Sequence, residues 1–403
     1  MAGPLQGLKV LELIRVPPGA FCTMMLADMG AEVLKIETPP STPVAPESEQ
    51  AARAERRAAF HVVNRNKRSL AINLKQPDGQ KLLHQLAADA DVLIEGFRPG
   101  VMARLGGDYE TLRRINPRLI YCSLSGYGQD GPYRDLPAHD INFLAIAGVL
   151  NLIGEPDRPP AIPLNLIADY AGASLHGVVG ILLALLARQH TGRGQRVDVS
   201  YLDTSLALLA ATPMMQTFLG KGTAGQRGVG LSGGAYPYYA TYETADGKAL
   251  AVGCMDAEQW DAFCGAVGLA ALAEAGPDEA HLDRVAGGTA QAAKAAVQAV
   301  LRQKTRDDWL AILQDKQVSV APVHAVDEAF DDPHVLARQM AVDVMHPRHG
   351  SVRQAGIAIK LSDTPGSIRG AGPALGEHTD EVLQALGYDE TRRAELRRAG
   401  TVA

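Results

Sequence analysis

Two side chains stand out for chemistry. His139 opens the stretch His139-Asp140-Ile141-Asn142-Phe143, which follows a glycine-rich loop after an apolar run ending near Leu124. An imidazole exchanges protons near neutral pH, so a histidine at the mouth of a cleft can serve as general acid or base. A loop histidine can equally cap a helix or satisfy a backbone carbonyl. Asp169 lies in Leu166-Ile167-Ala168-Asp169-Tyr170-Ala171-Gly172, just ahead of the most apolar helix expected in the chain. A carboxylate there can be a helix cap, a base or a covalent nucleophile. Its small neighbours Gly172, Ala173 and Ser174 would let a ligand approach the backbone.

Cations gather in the N-terminal section: Arg15, Lys67, Arg68, Lys75, Arg98 and Arg104. Any one of them alone reads as a solvated surface charge. Several fall at strand or helix ends in successive units, the arrangement that holds a polyphosphate by charge-assisted hydrogen bonds. The formal net charge of −6 gives no global basic field for nucleic acid or an anionic membrane, so an anionic ligand must meet local cations.

Several common motifs fail. Gly228, Gly230 and Gly233 match GxGxxG, but a β-like segment over 236–244 follows instead of a helix, which reads as a flexible loop and disfavours a nicotinamide enzyme. P-loop and HExxH signatures are missing from the sequence. His346 and His349 flank Pro347 in a turn and read as a solvent-exposed pair, so no metal site is expected. The four cysteines include no CxxC pair and suit a reduced cytoplasm. The start of the chain does not resemble a signal peptide, and the apolar stretch 177–187 is too short to span a bilayer.

The elements that must position these residues follow from apolar periodicity. Strands are expected over 8–13, 31–37, 69–74, 91–97, 119–124 and 196–202, with helices opening at Pro17 and Pro77 and another over 169–189. Strands spaced by helices imply a largely parallel sheet, with its ligand cleft at the carboxyl ends of the strands. A helix over 204–219 then leaves this domain. A hairpin over 236–252 opens a smaller α+β domain with helices over 257–267, 291–302 and 306–314 and a strand over 319–323. The boundaries expected are a large domain over 1–200, a linker helix over 201–224, a small domain over 225–328 and a return to the large domain over 329–403.

At these residues the sequence resembles the family III CoA-transferase (CaiB/BaiF) family, on its α-methylacyl-CoA racemase branch. The resemblance runs over nearly the whole chain. It is carried by Leu5-Gln6-Gly7-Leu8-Lys9-Val10-Leu11-Glu12, Asn66-Lys67-Arg68-Ser69, Asp91-Val92-Leu93-Ile94-Glu95-Gly96-Phe97-Arg98-Pro99-Gly100, Thr191-Gly192-Arg193-Gly194-Gln195 and Leu375-Gly376-Glu377-His378-Thr379. It implies a Rossmann-like large domain and a smaller one in an interlocked homodimer, with active sites between the large domain of one subunit and the small domain of the other. It also implies that Arg15, Val16, Ile72, Lys75, Gly96, Phe97, Arg98 and Arg104 line the CoA site. Thr38 stands where some members carry an arginine.

Two chemistries share that family. Transferases use the aspartate matching Asp169 as a nucleophile. Racemases carry a histidine in an HDIN-like motif, an aspartate in a segment like 167–172 and a GG-x-PYY-like stretch; here these are His139, Asp169 and Gly233-Gly234-Ala235-Tyr236-Pro237-Tyr238-Tyr239, with Tyr236 as an extra residue. The resemblance therefore implies a racemase acting on acyl-CoA thioesters, with no cofactor beyond the CoA of the substrate. The resemblance implies that His139, assisted by Asp256 in place of the family's glutamate, works one face of an enolate and Asp169 the other. Oxyanion donors are expected from the backbone at the start of the Asp169 helix. Met214, Met215 and Phe218 are candidates for an apolar acyl surface.

Overall fold

The computed structural model describes residues 3–40, 60–210, 225–229, 233–277 and 288–403, together with positions 49, 56, 212, 215 and 218–220. Met214 and Gly230, named above, lie outside the described residues.

The chain begins β1 (Lys9–Leu13), α1 (Pro17–Asp28), β2 (Glu32–Glu37) and β3 (Lys67–Ala71). It continues through α2 (Pro77–Ala88), β4 (Val92–Glu95), α3 (Tyr109–Ile115) and β5 (Ile120–Ser125). All six residues of β5 and all four of β4 are buried, which is why these runs are continuously apolar or uncharged until Glu95: a central parallel strand is covered on both faces. After α4 (Asp140–Ile146) a π-helical segment, Leu166–Ser174, runs directly into α5 (Leu175–Thr191), followed by β6 (Arg196–Ser200) and α6 (Tyr201–Leu209). The six strands form one parallel sheet in the order β3-β2-β1-β4-β5-β6, with Leu11 of β1 aligned between Leu34 of β2 and Leu93 of β4. The strand order reverses between β1 and β4, so the loops after those two strands open the crevice where such sheets bind ligands.

One expectation changes here. The π segment and α5 form a single 26-residue helical run whose mean hydropathy reaches 1.8 and which is long and apolar enough to cross a membrane, with 39% of that window buried. The apolar centre over 177–187 is too short for this by itself; the π segment supplies the added length. In this fold its inner face, including Gly177, Val178, Ile181 and Ala184, is buried and packs on α1, β5 and β6. Leu175, Val179, Leu182, Leu183 and Leu186 stay exposed.

Two compact units divide the chain: one of residues 1–144, 164–205 and 330–403, the other of residues 145–163 and 206–329. The sequence-based boundaries have no counterpart for the excursion over 145–163. In the second unit an antiparallel sheet is built from β7 (Tyr239–Glu243), β8 (Ala249–Gly253) and β9 (Val320–Val323), covered by α7 (Ala257–Val267), α8 (Gly288–Leu301) and α9 (Arg306–Leu313). Its core is aromatic: Tyr236 stacks on Tyr238 at 5.2 Å, and Trp260 and Trp309 each donate their indole N–H to a backbone carbonyl.

The C-terminal section returns to the large unit as the hairpin β10 (Ala341–His346) and β11 (Gly350–Ala355) and the helices α10 (Thr379–Ala385) and α11 (Glu390–Arg398). Buried Arg65 fastens it, donating to both oxygens of Asp28 and to Gln354 Oε1 at 3.1 Å. Ile72 bridges Val402, and the Asn73 amide donates to the Thr401 carbonyl. This ends β3 at Ala71, short of the 69–74 expected, because the next residues pair with the far end of the chain.

Candidate active site

Arg15 and Val16 follow β1, and Gly96, Phe97 and Arg98 follow β4, so five of the eight residues expected at CoA lie at the point where the strand order reverses. The two loops touch: the Arg15 guanidinium sits 5.3 Å from the centre of the Phe97 ring, and Arg15 Nη2 donates to Thr38 Oγ1 at 3.2 Å. A side chain on Gly96 would meet Ile14 Cδ1 at 3.1 Å, so glycine lets the β4 loop lie against the end of β1. The strand order is that of a dinucleotide-binding sheet, yet the turn into α1 reads Arg15-Val16-Pro17-Pro18. The two prolines remove N–H donors from the first turn, leaving anion recognition to side chains.

Arg15, Lys75, Arg98 and Arg104 are exposed and, among the described residues, have no ion-pair partner. Lys67 differs. Its side chain is fully buried, 2.8 Å from Glu12 and 2.9 Å from the Ala20 carbonyl, so it leaves the set of phosphate candidates. Arg68 pairs with Glu381 at 3.0 Å. Ile72 is buried at the end of β3 and presents no side chain to solvent.

Arg98 also lines a cavity of about 150 Å³ with Glu95, Tyr121, Ser123, Gln129 and Arg196. Burial pushes the Glu95 carboxyl up to about 7, against the opposing pull of the Phe97 amide, which donates to Glu95 Oε2 at 2.8 Å. The carboxyl thus holds the β4 loop from beneath.

His139 precedes α4, and its ring is exposed at the surface of the large unit. Its amide donates to Asn142 Oδ1 at 3.0 Å while its carbonyl accepts from the Asn142 amide, so the asparagine of the motif fixes the backbone that carries the imidazole. Asp140 is buried, and its Oδ2 accepts the amides of Ala168 and Asp169, both at 3.1 Å. Residues 29 apart in sequence are thereby joined.

Asp169 is half-buried in the π segment, and its Oδ2 accepts from Asn165 Nδ2 at 3.0 Å. Desolvation raises its pKa; the Asn165 hydrogen bond opposes this, the nearby Asp140 charge adds to it and the His139 charge counters it. Two expectations are corrected here. Of the amides at the start of the Asp169 helix, expected as oxyanion donors, those of Ala168 and Asp169 are already taken by Asp140. Gly172, Ala173 and Ser174 are buried in packing instead of lining a ligand path: a side chain on Gly172 would meet the Thr204 hydroxyl at 3.0 Å, and the Ser174 hydroxyl donates to the Pro18 and Asp169 carbonyls.

Asp256 lies in the second unit, where it caps α7 by accepting the Gln259 amide at 2.8 Å. The sequence reading missed the contributions of Asp140, Asn142 and Asn165. The adjacency of Asp140 and Asn142 to His139 in one motif was the only signal for the first two, and nothing in the sequence announces how far Asp140 reaches.

Open arginines where the strand order reverses, together with an imidazole tied through its neighbour Asp140 to a desolvated carboxyl, suit an enzyme acting on an anionic thioester. Residues 5–379 match the sequence model described as CoA-transferase family III. The chain belongs to this family, whose relatives include both transferases and racemases. It is 35% identical to the human alpha-methylacyl-CoA racemase, over 97% of this chain and 96% of the relative. It is also 35% identical to the succinate–glutarate CoA-transferase of Agrobacterium fabrum, over 95% of this chain and 96% of that one. A CAIB/BAIF family protein from Brucella suis superposes with a TM-score of 0.79 at 32% identity, covering 96% of this chain and all of the other.

Proposed function

We propose that this protein interconverts the R and S forms of α-methylacyl-CoA thioesters by two-base exchange of the α-proton. The α-proton of a thioester is weakly acidic, so a base must be placed against it and the enolate oxygen stabilised. Inversion needs one proton exchanger on each face of the planar enolate. His139 takes one face and Asp169 the other. Arg15, Lys75, Arg98 and Arg104 hold the CoA phosphates. With the Ala168 and Asp169 amides engaged, the Asp140 amide, which has no hydrogen-bond acceptor among the described residues, takes the role of oxyanion donor.

The observation that carries this reading is the hydrogen bond between Asp140, chain neighbour of His139, and the Asp169 amide, because it registers an imidazole against a desolvated carboxyl. A homodimer is part of the proposal: the partner's second unit supplies the aspartate at position 256 beside His139. The exposed apolar side chains of α5 support association with a second copy.

A CoA-transferase reading is kept by the equal identity to the Agrobacterium enzyme, with Asp169 then attacking as nucleophile. Proton NMR of a single α-methylacyl-CoA enantiomer in heavy water, with no second acid, separates the two. Racemase action makes the α-proton signal disappear and the other enantiomer accumulate, and His139→Ala or Asp169→Ala slows inversion by about 10²- to 10⁴-fold. No exchange, together with a hydroxylamine-trappable adduct on Asp169 and transfer to an added carboxylic acid, would establish the transferase instead.

A further inference from the structure

Asp140 has a carboxylate to which the proposed reaction gives no task. It is 7% exposed, its Oδ2 accepts two amides, and its Oδ1 is buried with no partner among the described residues. Taking a carboxylate out of water with one oxygen unsatisfied is costly, so the two amide bonds must give a compensating return. Those amides belong to Ala168 and Asp169, the last groups before the Asp169 α-carbon.

We propose that Asp140 is the positioning residue for the Asp169 face of the reaction: its carboxylate grips the backbone at Asp169 and sets the place of that carboxyl relative to His139, one residue away from Asp140 itself. The inference rests on the two-base reading and adds a residue to it. A peptide loop and a π-helical segment that are distant in sequence become one rigid element carrying both proton exchangers. Loosening the grip displaces one exchanger and leaves the other, since the His139 backbone is held separately by Asn142.

Charge follows geometry. Asp169 is faced by Asn165, Asp140, His139, Tyr170 and Tyr201. Among these the negative charge of Asp140 favours the protonated form of Asp169, so neutralising Asp140 extends the ionised form of Asp169 to lower pH.

The test compares wild type with Asp140→Ala and Asp140→Asn, using single enantiomers of an α-methylacyl-CoA in heavy water and reading inversion and exchange with retention separately. In Asp140→Ala, which keeps the backbone amide, inversion is expected to fall by about 10- to 100-fold and by at least about threefold more than exchange with retention of the enantiomer served by His139. Asp140→Asn keeps an acceptor without the charge; it is expected to recover part of the inversion rate and to move the acid limb of its pH profile downward. Equal losses in both readouts, or no loss in either, overturn the positioning role. If Asp140→Ala does not fold, the asparagine variant decides, and an unmoved acid limb with an unchanged ratio of the two readouts overturns it. If wild type itself neither inverts nor exchanges, the two-base reading has failed on its own. The Asp140 inference then stands or falls on the rate at which hydroxylamine-trappable adduct forms at Asp169: a tenfold loss in Asp140→Ala upholds it, and equal rates overturn it.

Discussion

The large unit contains two groups of cations that look alike in sequence and differ completely in environment. Lys67 lies beneath α1 in a closed cluster, against Glu12, the Ala20 carbonyl and Asn64, while Thr23 donates to the same Glu12 carboxylate at 2.6 Å. Arg15, Lys75, Arg98 and Arg104 stand at the ends of neighbouring elements in solvent, unpaired among the described residues. Lys67 is satisfied by the protein and serves as structure. The four open cations keep spare donors turned to solvent. The difference shows that burial with a partner, more than residue type or proximity to a strand end, separates a cation that holds the fold from one left open to solvent.

The sharpest way to break this comparison is to remove one partner of the closed cluster. Lys67→Met leaves Glu12 charged in the interior and is expected to cost about 3–5 kcal/mol in urea unfolding, whereas the double variant Lys67→Met with Glu12→Leu recovers most of that loss. A single variant within 1 kcal/mol of wild type, on the scale of an exposed ion pair, would erase the distinction.

Glu95 occupies an intermediate place, buried yet beneath an open loop. Its carboxyl titrates at about 7 in the folded protein against the ordinary 4.5, burial being the largest cause. Below pH 4.5 both folded and unfolded chains hold the proton and no penalty arises. As pH rises to 7 the unfolded chain releases it more readily, so this group withdraws about 3 kcal/mol of stability, a loss that is complete above pH 7. Glu95→Gln keeps an acceptor for the Phe97 amide and is expected to lack that decline. Parallel stability curves for the two proteins between pH 4.5 and 8 would refute the assignment.

The smallest effect on stability is expected at the open cations. Arg98→Ala and Arg104→Ala should change unfolding free energy by less than about 0.5 kcal/mol while raising KM for an acyl-CoA by about tenfold or more each, with a wild-type KM that climbs with salt. Unchanged KM in both variants would place the CoA phosphates elsewhere.

Much of the architecture was legible because its signals are local. Pro17 and Pro77 mark helix starts, the apolar runs at Val92–Glu95 and Ile120–Ser125 are long enough to be buried strands, and the helix Ala257–Val267 has the bounds expected for it. The expected helix over 204–219 instead begins at Tyr201, immediately at the end of β6, where the Ser200 hydroxyl accepts the Asp203 amide. That serine cap is a sequence signal the apolar period outweighed. The end of β3 carries no local signal at all, since the bridge between Ile72 and the distant Val402 decides it.

By itself the sequence determined the alternation of strands and helices, the family, and the presence of a histidine and an aspartate able to exchange protons. Tertiary structure decided which lysine is sealed off and which arginines stay open, that the small residues after Asp169 serve packing, and that Asp140 spends its carboxylate on the Asp169 backbone. The physical reason is that periodicity and capping depend on neighbours within a few residues, whereas desolvation and hydrogen-bond ownership depend on which distant groups share a volume. No residue carries that information alone.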